Sequence, residues 1–151
     1  MTLPTGSYNI SGSFSIFFEF GKTINSFVSS SGFVSLNTTG NDFALIINPS
    51  GNGGINIYLA NQGNYVFGSN QNDAFGAEKS KICISYNAST GRLVYYINGS
   101  KYAEQTSALN FVGTNQTSTL DFGATFSGEL NQYLFAETAF DDAQCIQLTT
   151  L

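Results

Sequence analysis

Between positions 81 and 102 apolar and polar residues alternate so regularly that the stretch spells three strands and two tight turns without a gap. Ile82, Ile84 and Tyr86 alternate with Cys83 and Ser85, and residues 87 to 91 supply turn formers. Leu93 to Ile97 returns as a strand, and Asn98-Gly99 is a dipeptide that tolerates the positive φ angles of a type I′ hairpin. This order predicts a meander of antiparallel strands. Similar runs recur at short intervals: Ser13 to Phe20, Phe27 to Ser30, Phe33 to Leu36, Phe43 to Ile47, Ile55 to Leu59, Tyr65 to Phe67, Lys101 to Glu104, Leu120 to Phe122 and Leu130 to Ala136. Many short strands separated by turn signals predict an all-β fold of the sandwich type.

The Asn, Gly and Pro clusters at 48–54 and 68–73 read as loops, because these residues supply unusual φ angles and local side-chain hydrogen bonds. No composition shift, charge block or repeat divides the 151 residues, so one domain spanning 1–151 is expected. One helical turn is predicted near the end. Asp141 suits an N-cap, Gln144 completes a capping box, and Phe140 can staple against Cys145, giving a short helix that ends by Leu148.

The strand ending in Tyr86, the Asn/Gly turn, the next apolar strand and the run Tyr96-Ile97-Asn98-Gly99-Ser100-Lys101 resemble the central signature of laminin G-like domains in the concanavalin A-like lectin/glucanase superfamily. Residues 128 to 146 are similar to that family's closing strand and short helix, and residues 12 to 20 to its first core strand. The resemblance implies a jelly-roll sandwich of two antiparallel sheets with one short C-terminal helical turn that closes an end of the sandwich. It implies a core holding Phe14, Ile16, Phe18, Phe20, Ile82, Ile84, Leu93, Tyr95, Ile97, Tyr133 and Phe135. The family's apolar positions fall on Leu130 and Tyr133, three residues apart, which on a strand requires a bulge or a twist.

Composition sharpens this picture. Fourteen Phe, eight Tyr and sixteen Gly with only 10% charged residues describe a turn-dense β protein. A net charge of −5 leaves no basic stripe for a nucleic-acid backbone. No apolar run is long enough to insert in a membrane, and the residues after Met1 lack the pattern of a secretory signal. Cys83 and Cys145 are expected to be small buried hydrophobes, with their pairing left open.

Glucanases of the superfamily resemble one another in placing carboxylates at alternate positions of one strand. The nearest segment here, Glu129-Leu130-Asn131-Gln132-Tyr133, has Asn and Tyr where the other acids would stand, and Glu19 is expected to face solvent. With no His in the chain, Ser–His and Cys–His nucleophiles are excluded and a zinc site lacks ligands. No catalysis and no required cofactor are expected. Calcium is the one ion the loops suit, with Asp42, Asp73 and Asp121 as candidate oxygen ligands. Sugar recognition needs a ring to stack on and amides for hydroxyls. Trp is absent. Tyr58, Asn61, Gln62, Asn64, Tyr65, Asn70 and Asn72 form a Tyr/Asn/Gln alternative around the 60–73 loops.

The expected function is a non-catalytic, lectin-like surface module contacting host glycans. Low charge, richness in Asn, Ser, Thr, Gly and Phe, and the absence of His and Trp suit a bacteriophage capsid or tail decoration made in the host cytoplasm and carried on the virion surface. A structural cement protein held by neighbouring virion proteins, and an extracellular adhesion domain cut from a larger chain, are the alternatives. A homo-oligomer stays open.

Overall fold

The computed structural model describes the backbone of residues 2–3, 12–21, 34–37, 43–49, 55–59, 65–68, 80–106, 119–122 and 129–151, and the side chains of 12–21, 80–106 and 129–151. Contacts group the chain into two compact units. The first (Met1–Ser11, Asn25–Ala74 and Asn110–Ser127) holds β1 (Thr2–Leu3), β3 (Val34–Asn37), β4 (Phe43–Pro49), β5 (Ile55–Leu59), β6 (Tyr65–Gly68) and β10 (Thr119–Phe122). They form an antiparallel sheet in the order β1-β10-β3-β4-β5-β6. The second unit (Gly12–Ile24, Phe75–Leu109 and Gly128–Leu151) holds β2 (Phe14–Phe20), β7 (Ser80–Asn87), β8 (Arg92–Ile97), β9 (Ser100–Thr106), β11 (Leu130–Ala136) and the helix α1 (Asp142–Thr149). Its sheet runs β11-β2-β7-β8-β9, again antiparallel.

The strands read from the sequence match these elements within about two residues, the usual scatter of such boundaries. The two-residue β1 was not foreseen, and the expected strand at Phe27 to Ser30 lies outside the described residues. Asn98 and Gly99 take φ of 47° and 80°, as a type I′ turn requires. The bulge between Leu130 and Tyr133 is present as a register shift between Leu130 and Gln132.

Alternation in β2, β7 and β8 sends Phe14, Ile16, Phe18, Phe20, Ile82, Ile84, Leu93, Tyr95 and Ile97 inward, and all are buried. Tyr133 and Phe135 depart from expectation and are only half-buried. They sit on β11, an edge of the sheet, where Tyr133 leans on Phe18 and Phe135 stacks on Phe14 but no strand among the described residues flanks their far side. Glu19 also departs. It is 6% exposed rather than solvent-facing, because it shares a face with Phe17 and stands opposite Lys81, whose ammonium lies 3.9 Å away.

That second face is covered by α1, which packs on β7, β8 and β9 rather than only closing an end. Phe17, Cys83, Val94, Tyr96 and Cys145 make its core, with Phe140 and Leu148 packed alongside. Side chains of both faces are therefore buried along the central strands β7 and β8, and β2 is buried along its whole length, whereas β9 and β11 are largely exposed or half-buried.

Candidate functional site

The approach to α1 is fixed by two buried hydroxyls. Ser15 Oγ and Ser85 Oγ lie 3.0 Å apart on neighbouring strands. Ser15 accepts from Phe140 N at 2.8 Å and donates to the Thr138 carbonyl at 2.8 Å, while Ser85 donates to the Phe140 carbonyl at 3.0 Å. Next comes the capping box. Gln144 N donates to Asp141 Oδ1 at 2.8 Å, and Asp141 N donates to Gln144 Oε1 at 2.9 Å. At the other end Lys81 Nζ donates to the Thr150 carbonyl at 2.7 Å and Gly99 N to Thr149 Oγ1 at 3.1 Å. The helix is pinned to the sheet at both ends.

Held this way, α1 leaves an open groove of about 500 Å³ between itself and the β11 side of the sheet. Phe17, Phe140 and Leu148 line its apolar part, and Leu134, 39% exposed, lines it from β11. Gln132 from β11 and Gln144 and Gln147 from the helix bring three amides to it. Spacing of three residues puts the two helical glutamines on one face. The Gln132 and Gln147 side-chain amides have no partner among the described residues, whereas Gln144 keeps its NH₂ group after capping. Lys81 completes the lining with its ammonium already bonded to Thr150.

Beside the helix start, four charges form a closed set. Arg92 donates to Glu104 through Nε at 2.7 Å and a second nitrogen at 3.1 Å, and to Asp142 at 2.7 Å. Lys101 bridges the same two acids at 2.8 and 2.9 Å and lies 5.9 Å above the Tyr96 ring. The bonds from Arg92 and then Lys101 hold the Glu104 carboxyl down to about 2. Those from Lys101 and Arg92 lower Asp142, and both cations are held above their ordinary values. These groups fasten α1 to β8 and β9 and are committed to one another.

Of the residues singled out from the sequence, Asn61, Gln62, Asn64, Asn70, Asn72, Asp42 and Asp73 lie outside the described residues. For Tyr58, Tyr65 and Asp121 the backbone is described. Tyr58 and Tyr65 are register partners across β5 and β6, next to a register shift, and Asp121 on β10 pairs with Thr2 and Ser35. Glu129 is exposed and its carbonyl accepts from Gly21 N at 2.8 Å. Among the described residues no three His, Cys, Asp or Glu side chains cluster as a metal site. The groove glutamines escaped sequence reading. Only the capping role of Gln144 was visible, since the juxtaposition of β11 with α1 is a tertiary fact.

In sequence the chain matches no protein-family model and no curated protein. In structure it is similar to the CBM40 of the Ruminococcus gnavus IT-sialidase, with TM-score 0.67 and 14% identity over 99% of this chain and 95% of that one. That module is also solved with α2,3- and α2,6-sialyllactose. Domain 4 of AbnA, a GH43 extracellular arabinanase from Geobacillus stearothermophilus solved with arabinotriose, gives 0.66 and 17% over 99% of this chain and 71% of that one. The heptameric SAP-like pentraxin from Limulus polyphemus gives 0.57 and 14% over 99% and 73%. The fold is jelly-roll-like. At such identities the likeness carries the architecture, a mostly β fold with one short C-terminal helix in this chain.

Proposed function

We propose that this chain is a single, non-catalytic glycan-binding module of the laminin G-like kind. The observation that carries the reading is the whole-chain likeness to two modules of carbohydrate-active enzymes, each solved with an oligosaccharide. A jelly-roll presents many loops on a rigid frame, a placement suited to recognising a surface. The 60–73 loops, with Tyr58 and Tyr65 at their base and Asn61, Gln62, Asn64, Asn70 and Asn72 along them, are the recognition site in this reading. Asp42, Asp73 and Asp121 are its candidate calcium ligands. The composition supports a place on a virion surface facing host glycans.

A glycan array probed with the isolated chain, followed by calorimetry on the best ligand, tests this. Binding weakened by Tyr65→Ala at unchanged melting temperature, with no hydrolysis of the ligand on long incubation, is the expected result. Silence across the array, or turnover lost in Glu129→Gln, would reject it.

A further inference from the structure

The groove between α1 and β11 has the chemistry of a second ligand site, and nothing in the Tyr/Asn loops requires it. Its size falls within the roughly 300–1,000 Å³ typical of small-ligand pockets, with apolar lining and a few convergent polar groups. The polar groups are amides. Gln132, Gln144 and Gln147 offer donors and acceptors, and a sugar hydroxyl, itself donor and acceptor, matches that set better than a carboxylate or phosphate does. Phe140, Leu134 and Leu148 supply apolar surface for the C–H face of a ring.

The cations decide the charge of the ligand. Lys81 is the groove's one cation among the described residues; one of its three donors goes to the Thr150 carbonyl, and its charge is matched by Glu19 at 3.9 Å. Arg92, the only arginine in the chain, is occupied by Glu104 and Asp142, as is Lys101. An anionic ligand placed in the groove would lose water and gain only a cation already paired with the Glu19 carboxylate, an unfavourable exchange. We infer that the α1–β11 groove binds a neutral oligosaccharide, held by the Gln132, Gln144 and Gln147 amides and excluding sialylated glycans. This rests on the glycan-binding reading and adds to it the place and the charge of one ligand class.

The test titrates the full chain with arabinotriose, maltotriose and lactose as neutral probes and sialyllactose as the anionic one. The variants are Tyr65→Ala and the double variant Gln132→Ala/Gln147→Ala, whose side chains are exposed and outside the core. Expected is binding of at least one neutral probe, weakened about tenfold or more in the glutamine variant at unchanged melting temperature, a loss of about 1.4 kcal/mol, with sialyllactose at least tenfold weaker. Neutral binding indifferent to the glutamines but lost in Tyr65→Ala would overturn the groove and leave the glycan reading standing. Sialyllactose bound more tightly than every neutral probe would overturn the ligand class. Silence from all probes and from the array would remove both readings together. A concentration-dependent dimer abolished by the glutamine variant would assign the groove to a second copy of the chain instead.

Discussion

Cys83 Sγ on β7 and Cys145 Sγ on α1 lie 3.6 Å apart, fully buried and unbonded. A disulfide needs about 2.05 Å, so the pair is a packed thiol contact in which Cys83 donates to Cys145. The hydrogen bond to Cys145, with burial, pushes the Cys83 thiol up. Thiolates are the reactive form, and none is exposed here. The folded protein is expected to resist an aromatic disulfide reagent for hours and to titrate two thiols once unfolded in guanidinium. Immediate labelling of one thiol in the native state would contradict the arrangement.

The charged set at the helix start predicts a pH dependence. Glu104 is held down to about 2 from an ordinary 4.5, and Asp142 is lowered from 3.8. Both are depressed in the folded state, so their stabilisation is complete above the ordinary carboxylate values and fades as pH falls toward 2. The groups are a third or more exposed, which keeps the contribution small and sensitive to salt. Unfolding free energy followed from pH 5 to pH 2 should fall less steeply in Glu104→Gln than in the parent. Identical slopes would remove the set from the list of acid-labile features.

Ser15→Ala strips Phe140 N of its acceptor and the Thr138 carbonyl of its donor, two part-buried bonds made by a fully buried hydroxyl. An unsatisfied buried group costs about 1–3 kcal/mol. Urea denaturation should show a loss of that order with an unchanged slope. Thr90→Ala, at an exposed turn, serves as a comparison expected to stay within about 0.5 kcal/mol.

Gly99 has φ of +80°, and a Cβ there would come within 3.3 Å of Thr150 Oγ1. Gly99→Ala is therefore expected to cost about 1–2 kcal/mol through left-handed strain, with a further cost if the helix C-terminus cannot shift. Gly12→Ala, where the added carbon meets nothing within 4 Å, should be neutral or stabilising by up to about 1 kcal/mol. Equal melting temperatures for the two variants would show that the hairpin does not need its glycine.

The period-two alternation in β2, β7 and β8, the Asn98-Gly99 turn and the Asp141/Gln144 capping box are properties of neighbouring residues. Backbone geometry and local hydrogen bonds act over two to four positions, so the sequence alone determined strands β2 to β11, the turn, the helix start and nine of the buried core residues. It also determined that no histidine chemistry exists here. What covers the second face of the five-stranded sheet is set by contacts between residues far apart in the chain. Only the tertiary structure decided that α1 lies on β7, β8 and β9, that Glu19 is buried opposite Lys81, and that Tyr133 and Phe135 stay half-exposed on an edge. It likewise decided that Cys83 meets Cys145 and that Gln132 meets Gln144 and Gln147 around one groove. Alternation tells which side chains share a face, whereas the energy of burying that face depends on which distant element arrives to cover it.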